Sequence, residues 1–182
     1  ATGTGKTVLG QELIRHFGFK SLFLVPSRPI LEQTVRRFRD TFGKNNVGIF
    51  GGGKKDPKWV TVATYQSIYA SDEDWSEYKL IVADEAHHCA AETLFEVMTK
   101  KLYHAPYVFG LTADEERADG GTVLVEAATG PVLFSYDAPQ AIADGHLARP
   151  MFMIYEVYDT KGTYKKTEID PQSGKEIVIE LS

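Results

Sequence analysis

Short apolar runs alternate with amphipathic stretches along the first two thirds of the chain. A continuous apolar run bounded by turn residues is typical of a buried strand, and apolar residues three or four positions apart predict a helix. The predicted strands are 20–25, 47–50, 59–63, 79–83 and 107–112, and the predicted helices are 6–17, 28–42 and 90–102. Strands that alternate with helices predict an α/β domain whose mostly parallel sheet is covered on both faces.

After residue 130 the pattern changes. The predicted elements there are a strand at 131–136, a short helix at 138–144 and a long strand at 150–159. The polar tail carries DPQSG at 170–174, a strong turn signal that predicts a β-hairpin within 161–182. We therefore expect one domain over residues 1–150 and a short C-terminal β extension over 151–182.

Composition narrows the class of protein. A chain of 182 residues with 43% hydrophobic residues suits one domain plus a short appendage. A net charge of −5 argues against a surface that binds nucleic acid everywhere, but it leaves room for a local basic track. The single cysteine, Cys89, rules out an intrachain disulfide and favours a reducing, cytoplasmic setting. No apolar run approaches the about 18 residues of a membrane helix, so no membrane partner is expected.

A glycine-rich run opens the first predicted helix and consists of Gly3, Thr4, Gly5, Lys6 and Thr7. Backbone N–H groups of Gly3, Thr4 and Gly5 can point at a phosphate, and the helix N-terminus adds positive potential. We expect Lys6 to reach the β- and γ-phosphates of ATP and the Thr7 hydroxyl to bind Mg²⁺. The alternative, a glycine-rich helix start with a solvated lysine, is disfavoured because the helix that the motif requires follows it. The chain begins inside this motif at Ala1, so we expect a fragment of a longer polypeptide.

Two carboxylates follow the predicted strand 79–83, in the run Asp84–Glu85–Ala86–His87. A carboxylate at a strand tip that faces a phosphate loop suits a second Mg²⁺ contact, which we assign to Asp84. Glu85 is expected to orient and deprotonate the attacking water. The alternative is an acidic helix N-terminus, where carboxylates stabilise the helix dipole. The phosphate loop upstream favours the catalytic interpretation. A zinc site at His87, His88 and Cys89 is disfavoured, because three consecutive side chains cannot easily meet around one tetrahedral metal.

Together with FGLTA at 109–113 and R-x-D-G at 117–120, these motifs resemble the first RecA-like domain of superfamily 2 helicases and translocases of the DEAD/DEAH type. The resemblance covers about residues 1–150. It is nearest to the branch that holds the XPB-like, phage and type III restriction motors, which leaves a phage origin open. AIADGHLARP at 141–150 is similar to the end of that domain in the same branch. The implied fold is a three-layer RecA-like P-loop NTPase domain that lacks its N-terminal strand.

The resemblance implies an ATP-dependent enzyme that unwinds or moves along nucleic acid, DNA in preference to RNA. Its expected partners are that nucleic acid and a second RecA-like domain of the same parent chain. Because the family completes its site with arginines of the second domain, we expect the 182 residues alone to bind nucleotide weakly and to hydrolyse it slowly. Two alternatives stay open: a restriction or remodelling motor that translocates without unwinding, and a nucleotide-binding scaffold without turnover.

Site roles carry over by matching positions. The run at 3–7 falls on motif I and DEAH at 84–87 on motif II, which places His87 beside the catalytic pair. VPSRPILEQ at 25–33 falls on motif Ia, and this implies nucleic-acid contacts by Ser27 and Arg28.

ATYQS at 63–67 falls on a later strand-binding motif and implies backbone contacts by Thr64 and Gln66. LTA at 111–113 falls on motif III, which implies that Thr112 links hydrolysis to strand grip. Lys54 follows three glycines and is a further candidate for phosphate contact, against the alternative of a solvated charge.

One segment departs from the family pattern. The family usually has T-A-T-P-x-R after the strand, whereas this chain has Thr112–Ala113–Asp114–Glu115–Glu116–Arg117. Two acids replace a threonine and a proline close to a site that already holds negative charge. We expect weaker coupling there or a shifted loop.

Overall fold

The computed structural model describes residues 5–86, 91–112 and 122–149, together with the strand backbones at 153–156, 164–169 and 176–181. By its internal contacts the chain divides into two units, Ala1–Asp137 and Ala138–Ser182. The domain boundary after residue 150 stays a prediction.

The first unit alternates strands and helices along the chain. Its described elements are α1 (Lys6–Phe17), β1 (Ser21–Val25), α2 (Arg28–Phe42), β2 (Val47–Gly51), β3 (Lys54–Asp56), β4 (Val60–Thr64), α3 (Tyr65–Tyr69), β5 (Leu80–Asp84), α4 (Ala91–Glu96), a π-helical turn (Val97–Lys101), β6 (Tyr107–Leu111) and α5 (Thr122–Thr129). The second unit contains α6 (Ala138–Ala143), β7 (Met153–Glu156), β8 (Tyr164–Ile169) and β9 (Glu176–Leu181).

The strands of the first unit form one sheet in the order β3-β2-β4-β1-β5-β6. Every neighbouring pair is parallel except β2 and β3, which are antiparallel. Val25 of β1 lies opposite Thr64 of β4, and Asp84 of β5 lies opposite Leu111 of β6. The carboxyl ends of these strands therefore share one edge of the sheet, where ligands of open parallel sheets bind. The predicted α/β class with a mostly parallel sheet is confirmed.

The sheet is buried on both faces because its central strands are apolar at nearly every position. Successive side chains of a strand point to opposite faces. On β1, Leu22 and Leu24 belong to one core cluster, whereas Phe23 and Val25 belong to the other. The cluster around Phe23 and Val25 includes residues of α1 and α2, and the other cluster includes residues of α3 and α4. Helices thus cover the two faces and complete the three layers.

Helix α1 is held closely against the sheet and against α2. A Cβ added to Gly10 would lie 2.5 Å from Cε2 of Phe23, so the helix approaches β1 more closely than a side chain would allow. The amide of the buried Gln11 donates to Oγ1 of Thr41 in α2 over 3.0 Å. At the other end the helix stops at Gly18, whose φ of 65° is left-handed. These contacts determine where the first turn of α1 lies relative to β5.

The second unit contains an antiparallel sheet in the order β7-β8-β9. Ile154 lies opposite Thr167, and Lys166 lies opposite Ile179. β8 and β9 pair antiparallel on either side of the turn predicted in the tail, and the turn itself, at 170–175, lies outside the described residues. The short helix predicted at 138–144 is confirmed as α6.

The strand predicted at 131–136 is wrong. This segment forms no strand, and it leaves Val132, Leu133 and Phe134 exposed by 59%, 78% and 77%. An apolar run becomes a strand only where another strand accepts its backbone hydrogen bonds. No described strand pairs with this segment, and a sequence pattern does not reveal whether such a partner exists.

Other local predictions needed correction too. The sequence patterns missed β3, α3 and α5, and a π-helical turn replaces the second half of the helix predicted at 90–102. β3 has three exposed residues and α3 has five residues, so both are too short for a periodic signal. No helix in the described part of the chain is both long and apolar enough to cross a membrane.

Candidate functional site

The N-terminus of α1 lies at the carboxyl edge of the sheet. Gly5 precedes the helix with a φ of 86°, a left-handed conformation that glycine adopts without steric cost. Lys6 and Thr7 form the start of the first turn, whose backbone N–H groups have no partners inside the helix. Such donors, together with the helix dipole, make an anion-binding end. Gly3 and Thr4, the earlier members of the predicted loop, lie outside the described residues.

Asp84 ends β5 and is held by two hydrogen bonds. Its side chain is buried, with a residue exposure of 6%. The hydroxyl of the fully buried Tyr65 donates to the backbone carbonyl oxygen of Asp84 over 2.8 Å. The backbone N–H of Glu85 donates to Oδ1 of Asp84 over 3.1 Å. A carboxylate is thereby positioned at the strand tip, as the sequence predicts.

Burial makes this carboxylate a stronger proton acceptor than usual. The pKa of Asp84 is raised from 3.8 to about 6, first by desolvation and then by the negative charge of Glu85. The positive charge of Lys6 and the backbone N–H of Glu85 act in the opposite direction. Desolvation favours the neutral form of an acid, and a nearby cation favours the charged form. A bound divalent cation would therefore relieve the cost of keeping Asp84 ionised.

Glu85 leaves the strand in an unusual conformation and contacts Lys6. Its φ is 49°, the left-handed region that residues other than glycine seldom occupy. Its Oε1 lies 2.8 Å from Nζ of Lys6, and the two side chains are 21% and 15% exposed. The structure thus brings the predicted phosphate-binding lysine and the predicted base into direct contact.

Thr112 follows β6 at the same edge of the sheet. Leu111, the last residue of β6, lies opposite Asp84, so Thr112 comes directly after the position that pairs with the acidic strand tip. His87 and the unusual segment 113–117 lie outside the described residues. The coupling role of Thr112 and the catalytic role of His87 stay predictions.

A second group of predicted residues lies beyond β1, β2 and β4 at this edge. Ser27 precedes α2 with extended backbone, and its side chain makes no capping hydrogen bond. The exposed side chain of Arg28 lies against the backbone of Gly52, since a Cβ at Gly52 would be 3.0 Å from Nε of Arg28. Nε2 of Gln66 donates to the carbonyl oxygen of Pro26 over 3.5 Å, near the limit of a hydrogen bond.

The remaining two candidates of this group differ in exposure. Lys54 is exposed on β3, where it pairs with Gly51 of β2. Thr64 is only 6% exposed. Its hydroxyl accepts from the backbone N–H of Ser67 over 3.2 Å and shares a second hydrogen bond with Oγ of Ser67 over 2.7 Å. The Thr64 side chain therefore caps α3, which is a sufficient local reason for a threonine at this position.

The sequence did not reveal three residues that support the site, Tyr65, Gly52 and Gln11. Tyr65 donates a hydrogen bond to Asp84, Gly52 lies against Arg28, and Gln11 is hydrogen-bonded to α2. Each of these contacts joins residues that are distant in the chain. Motif spacing gives no sign of such contacts. The sequence offered one hint of the close fit at Gly52, the run of three glycines at 51–53. In the structure all three have positive φ values, which glycine adopts more readily than other residues.

The hard oxygen donors here fit Mg²⁺ that arrives together with phosphates. Mg²⁺ is usually held by one or two carboxylates, phosphate oxygens and water. Asp84 is the last residue of β5 and offers a carboxylate. Thr7 offers a hydroxyl from the first turn of α1, and Lys6 of the same turn contacts Glu85, the residue that follows Asp84. Among the described residues no group of three His, Cys, Asp or Glu side chains could hold a metal.

The fold and this site define the class of protein, the first RecA-like domain of a superfamily 2 helicase-type motor. Residues 1–117 match the ResIII family model, described as type III restriction enzyme, res subunit. The chain belongs to this family.

Two curated relatives agree with this assignment. The chain is 29% identical over 170 residues to the DNA 3'-5' translocase XPB2 of Sulfurisphaera tokodaii, covering 93% of this chain and 37% of the relative. It is 31% identical over 144 residues to the probable helicase D10 of Escherichia phage T5, covering 78% of this chain and 31% of the relative. The chain thus spans about a third of the length of these relatives.

Solved structures support the fold. The Pyrococcus furiosus Hef helicase domain superimposes with a TM-score of 0.60 at 25% identity, covering 71% of this chain and 32% of that one. The UvsW helicase of bacteriophage T4 gives a TM-score of 0.59 at 21% identity, covering 70% of this chain and 49% of that one. The second likeness concerns the fold alone.

Proposed function

We propose that this chain is the ATP-binding and ATP-hydrolysing half of a nucleic-acid helicase or translocase that acts on DNA in preference to RNA. The observation that carries the proposal is the meeting of Lys6, Asp84 and Glu85 at the carboxyl edge of the sheet. An ammonium at a helix N-terminus beside two carboxylates at a strand tip is the arrangement that phosphoryl transfer with Mg²⁺ requires. The names of the curated relatives, a DNA translocase and a probable helicase, agree with it.

Each residue of the nucleotide site has a role that its chemistry supports. The N-terminus of α1, with Gly5, would receive the phosphates, and Lys6 would neutralise the β- and γ-phosphate oxygens. Thr7 and Asp84 would hold Mg²⁺, which supplies positive charge to the phosphates when it is bound. Glu85 would orient the attacking water and accept its proton. His87 would sit beside this base.

The nucleic-acid surface is proposed at the same edge, on the opposite side of β1 from β5. Ser27, Arg28, Lys54 and Gln66 are polar or charged and not buried. The neighbouring Gly52 and Gly53 are exposed, which leaves their backbone accessible to a phosphate chain. Contacts of this kind position a strand and carry no base specificity. Thr64 would act here mainly by holding α3, the helix that carries Gln66.

Thr112 is the proposed link between the two surfaces, because it follows the strand that neighbours β5. A second RecA-like domain of the same parent chain is the proposed protein partner, and it would supply the arginines that complete the nucleotide site. We propose a cytoplasmic location.

The proposal is tested with Glu85→Gln in a protein that carries this domain together with its second RecA-like domain. The substitution keeps the size of the side chain and removes its basicity. We expect DNA-stimulated ATP hydrolysis to fall at least about 100-fold, which is the scale of a lost general base, while nucleotide binding is retained. Glu96→Gln at the end of α4, where the acid is half-buried and paired with Lys100, is the control and should hydrolyse ATP as the wild type does. Unchanged hydrolysis in Glu85→Gln would refute the assigned role.

A second candidate is a motor that translocates without unwinding. It is favoured by the description of the matching family as a restriction subunit and by the name translocase for one relative. The two functions share every residue named above. They separate when the same protein is assayed for strand displacement on a forked duplex and for displacement of a triplex-forming strand from an intact duplex. Triplex displacement without strand separation would favour the second candidate.

A further inference from the structure

Tyr65 connects two strand ends that are not neighbours in the sheet. It directly follows Thr64, the last residue of β4, and it is the first residue of α3. Its hydroxyl donates to the backbone carbonyl oxygen of Asp84, the last residue of β5, over 2.8 Å. The strand β1 lies between β4 and β5, and its Leu22 and Leu24 belong to the same core cluster as Tyr65. The tyrosine ring therefore spans β1 on one face of the sheet and ties α3 to the acidic strand tip.

The oxygen that Tyr65 contacts belongs to the peptide unit between Asp84 and Glu85. A peptide unit is planar, so its carbonyl oxygen and its N–H turn together. The carbonyl oxygen accepts from the Tyr65 hydroxyl, and the N–H, which is that of Glu85, donates to Oδ1 of Asp84 over 3.1 Å. The unit is thus held at both ends, and turning it over would break both hydrogen bonds.

The orientation of this peptide unit sets the direction in which Glu85 leaves the strand. Glu85 has a left-handed φ of 49°, which is costly for a residue with a side chain and persists only where the surroundings favour it. Because φ is the rotation about the bond from the Glu85 nitrogen to its Cα, turning the unit that ends in this nitrogen changes φ directly. A turned unit would relieve the left-handed conformation and would aim the carboxylate elsewhere.

The hydrogen bond lies in a part of the core that water hardly reaches. Tyr65 is fully buried, Asp84 is 6% exposed, and Ala86, which follows Glu85, is 1% exposed. A buried carbonyl oxygen that loses a donor is costly because water does not replace the lost bond. Removal of the hydroxyl therefore weakens the hold on a backbone conformation that is already unfavourable.

We propose that the Tyr65 hydroxyl is a positioning group for ATP hydrolysis, which holds the Asp84–Glu85 peptide unit and thereby aims the Glu85 carboxylate at the attacking water. This role rests on the proposed function, in which Glu85 is the base. Tyr65 acts through the peptide unit and not on the nucleotide or the metal. The alternative is a hydroxyl that only stabilises the core.

Tyr65→Phe removes the hydroxyl and keeps the ring. In a protein that carries this domain together with its second RecA-like domain, we expect kcat for DNA-stimulated ATP hydrolysis to fall at least about ten-fold, because a misplaced base loses much of its effect. The KM for ATP and the Kd for fluorescent ADP with Mg²⁺ should change less than about two-fold, since the groups that bind phosphate keep their places. A joint loss of hydrolysis and ADP binding would mean that the whole site had collapsed, and it would overturn the positioning role.

Tyr78→Phe is the matched control. Tyr78 belongs to the same core cluster and is 3% exposed. Its hydroxyl shares a hydrogen bond with Oγ1 of Thr61 over 2.8 Å and donates to the carbonyl oxygen of Lys58 over 3.0 Å. We expect Tyr78→Phe to lower the melting temperature about as much as Tyr65→Phe does, yet to hydrolyse ATP as the wild type does. Equal losses of hydrolysis in the two variants would show a general effect of core destabilisation and would overturn the positioning role.

A double-mutant cycle shows whether the hydroxyl acts through Glu85. The residual hydrolysis of Glu85→Gln, measured in single turnovers, is compared with that of the double variant Tyr65→Phe/Glu85→Gln. We expect the second substitution to lower the rate less than about two-fold, because no base remains to be aimed. An undiminished loss in this background would show that the hydroxyl acts elsewhere, and it would overturn the inference.

Failure of the positioning role is distinguishable from failure of the proposed function. Wild-type rates in Tyr65→Phe, with Glu85→Gln strongly impaired, would overturn the positioning role and leave the proposed function standing. Wild-type rates in Glu85→Gln would overturn the proposed role of the base, and the positioning role with it.

Discussion

At the scale of single residues, the site combines groups that are unfavourable in isolation. Asp84 is buried next to another carboxylate, and Glu85 occupies a left-handed backbone conformation. Strain and buried charge of this kind concentrate at functional sites, where the rest of the fold must compensate for them. The bound substrate and metal would supply the missing positive charge.

The pKa of Asp84 gives a prediction for stability in metal-free buffer. Because the folded pKa, about 6, lies above the ordinary 3.8, the folded state binds the proton more tightly than the unfolded state does. The contribution of Asp84 to stability is therefore greatest below pH 3.8 and is lost as the pH rises through about 6. A shift of this size corresponds to about 3 kcal/mol.

We expect the free energy of unfolding of Asp84→Asn to exceed that of the wild type at pH 8 by up to about 3 kcal/mol. This difference should disappear near pH 4, where Asp84 of the folded wild type is protonated. Urea unfolding of both proteins across this range, with EDTA present, is the measurement. Parallel pH profiles for the two proteins would contradict the burial effect.

At the scale of elements, the close approach of α1 to β1 sets the position of Lys6 and Thr7. Gly10 makes this approach possible because Phe23, which is fully buried, occupies the space of a side chain. The bond from Gln11 to α2 limits rotation of the helix. A shift of α1 would move the phosphate-binding turn away from the carboxylates of β5.

Gly10→Ala tests this packing. In an exposed helix the substitution would stabilise by about 1 kcal/mol. Here we expect a net loss of about 1–3 kcal/mol, because the new methyl group overlaps a buried ring. Urea denaturation measures the loss, and the double variant Gly10→Ala/Phe23→Leu is the control that should recover part of it. Increased stability in the single variant would show that α1 can move outwards freely.

At the scale of the whole molecule, a net charge of −5 argues against a surface that binds nucleic acid everywhere and favours local contacts. The candidate contacts lie on the carboxyl edge of the sheet, the edge that also bears the nucleotide site. Salt dependence reports how many phosphates a protein contacts. It therefore distinguishes a defined track from general attraction.

We expect Arg28→Ala and Lys54→Ala each to weaken DNA binding and to reduce the slope of log K against log salt by about one. Arg36→Ala, an exposed arginine in the middle of α2, removes the same charge and is the control. Fluorescence anisotropy with a single-stranded oligonucleotide at several salt concentrations measures the slopes. Equal effects of all three substitutions would point to general attraction instead of a track.

The sequence by itself determined the alternation of strands and helices and the class of the fold, because apolar periodicity is a local property. It also placed Lys6, Asp84 and Glu85 in their motifs, since the spacing of glycines and acids around a strand or helix end is read directly along the chain. Only the tertiary structure decided which of these groups touch. The Lys6–Glu85 contact and the hydrogen bond from Tyr65 to Asp84 join residues that are far apart in the chain. The exposure of Val132, Leu133 and Phe134 likewise depends on whether a distant strand pairs with them. Packing selects such partners, and the sequence pattern does not show them.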